Sequence, residues 1–253
     1  MTMALDLAPA APATGTFHGV GLGPGDPDLV TVRAVKIIER TPVVAFFSKK
    51  GRRGHARTIA DPWIGPDKVE LALPYPMTTE THFGEERYIS SLGAFYEESA
   101  ARIAEELDGG RDVALICEGD PMFYGSFMHL HLRLKDRYPT AVTPGVTGMA
   151  GCWAAAGLAM TWGDDVLSVL PGTLDEEALV AGLHGCQATV VMKLGTNFAK
   201  VRRAIDRAGL LARATYVERG TMAGQTVVPL ADKLDDSAPY FSLILIPGEG
   251  RRP

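Results

Sequence analysis

The sequence predicts an α/β protein, built as two α/β domains with a ligand cleft between them. Three observations carry that expectation. Strand-like and helix-like stretches alternate in two successive runs. Segments such as 112–117 are apolar without alternation, as in a parallel sheet covered on both faces. Turn and small residues at 144–160 separate the runs, and the space between two such units is where small ligands usually bind. The predicted division is a tail at 1–15, an N-terminal domain at 16–144 and a C-terminal domain at 145–253.

In the first run, 16–22 reads as a strand that breaks into a Gly-rich loop, and the spacing Leu29, Val32, Val35, Ile38 then turns helical. Strands follow at 42–47 and 68–73, then one or two helices at 83–108, stopped by Gly109-Gly110. The strand at 112–117 leads through Glu118-Gly119-Asp120-Pro121 into a helix at 122–138, a strand at 140–143 and the turn Pro144-Gly145. The second run opens with a small-residue helix at 149–158. Strands at 165–170, 188–193 and 215–218 then alternate with helices at 175–184 and 198–208, and strands at 226–230 and 240–247 close the chain.

With 253 residues, 46% apolar and 22% charged, the chain can bury a sizeable core. A net charge of −5 argues against binding nucleic acid or anionic membrane through the overall field. Cys117, Cys152 and Cys186 are odd in number and widely spaced, which disfavours a disulfide framework or thiolate zinc site and suits a reducing cytoplasm. Residues 1–16 carry no Lys or Arg and many Ala and Pro, so a disordered tail is expected rather than a signal peptide. No run of about 18 apolar residues suggests a membrane span.

The loops hold the chemistry. Gly21, Gly23 and Gly25 fall at spacing 0, 2, 4, which misses the dinucleotide fingerprint by one place and disfavours a nicotinamide-dependent dehydrogenase. Asp26, followed by Pro27, is placed to cap the next helix, and its carboxylate opposes a phosphate there. The Gly-Asp-Pro device recurs at Gly119-Asp120-Pro121, where it serves equally as a cap or as an acid facing a ligand. Lys49, Lys50, Arg52, Arg53 and Arg57 crowd into nine positions, which suits a polyanionic ligand or a solvated loop. His129 and His131, two apart, lie on different faces of a helix, and no metal site is expected. Neither a G-x-S-x-G elbow nor a Walker loop occurs.

Taken together, Gly19-Val20-Gly21-Leu22-Gly23-Pro24-Gly25-Asp26-Pro27-Asp28-Leu29-Val30-Thr31, Glu118-Gly119-Asp120-Pro121, Thr143-Pro144-Gly145-Val146-Thr147 and Met192-Lys193 resemble, in order and spacing, the tetrapyrrole (corrin/porphyrin) methylases. The likeness runs from about Thr16 to Pro247. It implies a cytoplasmic homodimer that uses S-adenosyl-L-methionine, without a metal, in the cleft between the domains. The implied cofactor contacts are Leu22, Gly119, Asp120, Phe123, Thr147, Gly148, Met192, Val217, Arg219 and Ser242. Within that family, Glu118–Ser126, the Lys49–Arg57 segment and Glu218–Thr221 most resemble the members that methylate carbon 20 of precorrin-2, a polyanionic tetrapyrrole, in cobalamin biosynthesis, and that is the implied reaction. The basic residues Lys49, Lys50, Arg52, Arg53 and Arg57 are then expected to meet its carboxylates, and Tyr124 and Glu118 are the candidates for proton handling. Methylation of carbon 20 of the cobalt-bound substrate (cobalt-factor II), of another precorrin position, of uroporphyrinogen or of a protein-bound histidine derivative, and non-catalytic tetrapyrrole carriage, are the alternatives.

Overall fold

The computed structural model describes residues 14–49, 51–76 and 86–250. Two five-stranded sheets follow one another along the chain. The first is built from β1 (Phe17–Gly21), β2 (Val43–Lys49), β3 (Val69–Tyr75), β4 (Val113–Cys117) and β5 (Thr140–Thr143), in the spatial order β3-β2-β4-β1-β5 with every pairing parallel. Its helices are α1 (Val32–Arg40), α2 (His55–Ile59), α3 (Glu86–Asp108) and α4 (Phe127–Leu134).

The continuous apolar runs have the anticipated cause. In β4, Val113, Leu115 and Cys117 point into one core with Phe127, Leu130 and Ile103, while Ala114 and Ile116 point into the other with Ile37, Ile38 and Ala56. Leu115 and Ile116 are both fully buried, on opposite faces of one strand. Each such side chain contributes about 1.5–3 kcal/mol on leaving water. A strand covered on both faces leaves no solvent-facing position, which is why the run is apolar throughout.

The second sheet contains β6 (Leu167–Pro171), β7 (Ala188–Met192), β8 (Thr215–Glu218), β9 (Thr226–Pro229) and β10 (Ser242–Ile246), ordered β6-β7-β10-β8-β9. Here β6 and β7 are parallel, but β10 inserts antiparallel to both β7 and β8, and β9 pairs antiparallel with β8. The helices α6 (Glu176–His184) and α7 (Phe198–Arg207) cover one face around Val191, Tyr216 and Ile244. On the other face, α5 (Gly148–Ala155) lies over Val190, Val217 and Leu245 through Cys152 and Trp153.

The structure differs from the sequence expectations at three helices. The region after Gly25 forms a single 3-10 turn, Pro27–Leu29, capped by Asp26, and α1 starts separately behind Thr31, whose Oγ1 accepts from Ala34 N at 3.2 Å. The helix expected from 122 begins at Phe127, because 120–126 is a turn organised by Asp120. The basic segment, expected as a loop, contains α2. The tail expected at 1–15 lies outside the described residues up to position 13. Among the described residues, no helix is long and apolar enough to cross a membrane.

Candidate active site

The topology selects one place on the first sheet. β1 and β4 are neighbours, yet the chain leaves β1 towards β2 by way of α1 on one face, and leaves β4 towards β5 by way of α4 on the other. Diverging connections open a crevice at the carboxyl ends of such strands. The two loops with Gly-Asp-Pro sequences occupy those ends and are hydrogen-bonded to each other: Gly119 N donates to Gly23 O at 2.7 Å, and Gly23 N to Gly119 O at 3.3 Å.

The two aspartates differ in reach. Asp26 accepts only from Asp28 N, at 2.9 Å, closing its own turn. Asp120 accepts from Met122 N at 2.8 Å through one oxygen, and through the other from Gly145 N at 3.1 Å, 25 residues away. That second bond ties the β4 loop to the turn that feeds α5. The approach is close enough to require glycine, since a β-carbon on Gly145 would lie 2.1 Å from Gly119 O. Beside it, Thr147 caps α5 by accepting from Ala150 N at 3.3 Å, and the space over Gly148 is open, with nothing within 4 Å of a β-carbon placed there.

The second sheet presents a matching edge. Met192 ends β7 and Val217 lies near the end of β8; Ser242 starts the antiparallel β10 directly across from Glu218, so all three lie at the same edge. Arg219 N donates to Phe241 O at 2.8 Å, and its guanidinium lies 3.1 Å from Glu218. Ser242 Oγ donates to Pro239 O at 2.6 Å. The edges meet at several points. His55 and Phe241 make an edge-to-face pair with ring centres 4.7 Å apart. A β-carbon on Gly151 would strike Pro24 at 2.4 Å and approach Thr221 at 3.2 Å. Lys193 Nζ sits 4.6 Å from the centre of the Tyr124 ring.

The described non-glycine residues with positive φ are Tyr124 (54°), Lys193 (58°), Arg219 (50°) and Thr221 (68°), and all four lie in these facing loops. Left-handed backbone costs an L-residue about 1–2 kcal/mol, and such strain concentrates where function fixes a geometry.

The ten anticipated cofactor contacts therefore divide between two facing edges. Leu22, Gly119, Asp120, Phe123, Thr147 and Gly148 lie on the first side, and Met192, Val217, Arg219 and Ser242 on the second. Leu22 and Val217 are fully buried. Their side chains pack into the cores beneath the cleft, Leu22 with Ile37 and Ile38 and Val217 with Cys152 and Val190, so only their backbone can face a ligand. A floor of glycine backbone, partly exposed apolar side chains at Phe123 and Met192, and one carboxylate fit a nucleoside bearing a thioether or sulfonium. The Asp120 carboxylate accepts two backbone bonds and retains lone pairs for a ligand hydroxyl or amino group.

The basic segment is divided by the structure. Lys49, Arg52 and Arg53 are exposed, whereas Lys50 lies outside the described residues. Arg53 pairs with Asp61. Arg57 corrects the expectation of a ligand contact: it is 5% exposed, forms a two-pronged pair with Glu70 at 2.6 and 2.7 Å, and donates to Asp61 at 2.6 Å. Hydrogen bonding to Glu70 raises the Arg57 pKa further, and the same contact lowers that of Glu70. Arg57 thus braces α2 against β3. Glu118, a candidate proton carrier, spends an oxygen on Ala56 N at 2.9 Å and so caps α2. This places the basic segment directly against the β4 loop. Tyr124 is 44% exposed and stacks edge-on with Phe123, at 4.9 Å between ring centres.

Sequence reasoning did not single out His55, Phe241 or the hydroxyl cluster at the end of β3, where Tyr75 and Tyr96 both bond Ser126 Oγ. Desolvation holds the Tyr75 phenol well above the usual range, so it stays protonated. Lys193 stood in a quoted motif but had no role. Its side chain is exposed, and partial burial of the ammonium lowers its pKa. A depression of about 350 Å³ near Asp165, Cys186, Arg213 and Glu249 lies at the opposite edge of the second sheet and holds none of the predicted residues.

The profile of the tetrapyrrole (corrin/porphyrin) methylases matches residues 16–234. The chain is 51% identical over 239 residues to a precorrin-2 C(20)-methyltransferase of Sinorhizobium sp, covering 94% of this chain and 98% of that protein. It is 28% identical to the cobalt-precorrin-2 C(20)-methyltransferase of Salmonella typhimurium, covering 92% and 96% respectively. The fold is shared with the uroporphyrin-III C-methyl transferase of Thermus thermophilus complexed with S-adenyl homocysteine, at TM-score 0.64 and 20% identity over 92% of each chain. The chain belongs to the tetrapyrrole (corrin/porphyrin) methylases.

Proposed function

We propose that the protein is an S-adenosyl-L-methionine-dependent C-methyltransferase that methylates carbon 20 of precorrin-2, giving precorrin-3A in cobalamin biosynthesis. The observation that carries this reading is the 51% identity, across nearly the whole of both chains, to a precorrin-2 C(20)-methyltransferase. The motifs Glu118–Ser126 and Glu218–Thr221 and the Lys49–Arg57 segment support the same branch of the family. The lower identity to the cobalt-precorrin-2 enzyme makes the metal-free tetrapyrrole the preferred substrate in this reading.

The bound co-substrate supplies an activated methyl group on a sulfonium. The chain's task is to hold that group in line with the macrocycle and to keep water out, and orienting two bound reactants supplies several kcal/mol of the barrier. In this reading Gly119, Asp120, Thr147 and Gly148 form the cofactor floor, with Leu22, Phe123, Met192, Val217, Arg219 and Ser242 around it. Lys49, Arg52 and Arg53 collect the substrate's carboxylates at the neighbouring strand end, and Lys50, outside the described residues, is assigned the same role from the sequence. Glu118 acts by placing that segment, which leaves Tyr124 as the remaining candidate for taking up the proton. The reading includes a cytoplasmic homodimer working without a metal.

The test is to incubate the protein with S-adenosyl-L-methionine and either metal-free precorrin-2 or its cobalt complex, with and without a chelator, and to read product mass. One added methyl group on the metal-free substrate, unaffected by chelation, is expected. Transfer only to the cobalt complex, or to a different tetrapyrrole, contradicts the reading. In a second arm, Arg52→Gln combined with Arg53→Gln raises the tetrapyrrole KM and its salt dependence while leaving S-adenosylhomocysteine affinity unchanged. Light scattering on the same sample reports the dimer.

A further inference from the structure

The two edges of the cleft are joined by one contact that the family motifs leave without a role. Lys193 follows Met192 at the end of β7, and its left-handed backbone accompanies a side chain that crosses to the β4 loop and rests on Tyr124, itself left-handed. Each of these residues directly follows an anticipated cofactor contact, Met192 and Phe123. Arg53, Arg57 and Arg219 each have a carboxylate partner. Among the described residues Lys193 has none, and its recorded neighbour is an aromatic face.

An exposed ammonium that reaches across the cleft, rests on a ring and has no carboxylate partner among the described residues is free to take an anion from a ligand. The cation–ring contact is weak and readily exchanged, whereas a carboxylate offers a charge-assisted hydrogen bond. We propose that Lys193 is a substrate-binding residue: its ammonium leaves the Tyr124 ring to pair with a carboxylate of the tetrapyrrole, and so fixes which carbon of the macrocycle faces the methyl donor. The inference rests on the tetrapyrrole reading above and deepens it. The left-handed geometry is retained because it aims the side chain across the cleft. Lys193 then acts as the inner register point, and the exposed cations after β2 act as outer ones.

The experiment compares the parent protein with Lys193→Asn and Lys193→Arg. Asparagine tolerates the left-handed conformation better than most residues, so Lys193→Asn removes the charge without adding strain. Initial rates are measured against tetrapyrrole at saturating S-adenosyl-L-methionine, with S-adenosylhomocysteine affinity and melting temperature on the same samples. Lys193→Asn is expected to raise the tetrapyrrole KM about tenfold to a hundredfold, with S-adenosylhomocysteine affinity and melting temperature near the parent's. Lys193→Arg is expected to recover most of that loss. An unchanged KM in Lys193→Asn overturns the proposal, as does a parallel loss of S-adenosylhomocysteine affinity or the absence of any rescue by arginine. If the parent forms no methylated precorrin-2, the functional reading itself fails and takes this role with it. If the parent does form it and Lys193→Asn keeps the parental KM, only the role of Lys193 fails.

Discussion

The loops after β1 and β4 carry the same Gly-Asp-Pro sequence at the ends of neighbouring parallel strands, yet they do different work. Asp26 closes a turn two residues long, and its partner lies in its own loop. Asp120 closes a similar turn and also reaches Gly145 across the crevice. The first aspartate is a local cap; the second couples three segments at the switch point of the sheet. Identical short sequences therefore take their roles from the strand beneath them and from what the topology places opposite.

The largest effect should come from closing the gap over which Asp120 acts. In Gly145→Ala the new methyl meets Gly119 O at 2.1 Å and Gly21 Cα at 3.0 Å, both rigid backbone. A loss of about 1–3 kcal/mol or more is expected in urea denaturation, together with loss of S-adenosylhomocysteine binding. A stable Gly145→Ala protein would break the comparison, because the loops would then be loosely joined.

A smaller effect sharpens it. Gly148, three residues on, faces open space, and alanine favours the helix it begins. Gly148→Ala should keep stability within about 0.5 kcal/mol. It should nevertheless weaken S-adenosylhomocysteine about tenfold, roughly 1.4 kcal/mol, by filling the cradle. Unchanged affinity would move the cofactor away from this floor.

The smallest effect separates the strands beneath the loops. His18 on β1 lies opposite Ala114 on β4. It is 4% exposed, and desolvation lowers its pKa, outweighing the Asp112 carboxylate 3.9 Å from Nε2. The unfolded chain takes up this proton below about pH 6.5, while the native state resists it. Stability therefore falls as pH drops through that value, until the native ring also protonates. His18→Leu should flatten the pH dependence of the melting temperature in that range by up to one proton's worth. An unaltered slope would show that acid sensitivity arises elsewhere.

Much of this could be read from the sequence where the cause was local. The bounds of β5 and β8 match the expected 140–143 and 215–218, and the unbroken apolar run of β4 correctly announced a sheet covered on both faces. What failed was non-local. The helix α2 hid among Gly51, Gly54 and charges because its cap comes from Glu118, 62 residues away. Arg57 read as a free cation because Glu70 lies on a different strand. The antiparallel insertion of β10 depends on pairing with strands far back in the chain. Gly119 and Asp120 were identifiable through their motif, but the bond to Gly145 that distinguishes Asp120 from Asp26 required the fold.

The most direct measurement is a calorimetric titration of S-adenosylhomocysteine into Asp120→Asn and Asp26→Asn, with stability recorded alongside. Asparagine caps a helix about as well as aspartate, so Asp26→Asn should bind like the parent. Asp120→Asn turns an amide towards Gly145 N or loses the charge at the ligand, and affinity should fall about tenfold to a hundredfold. Equal affinities in the two variants would contradict the account, because the cofactor would then not depend on the loop that joins β4 to α5.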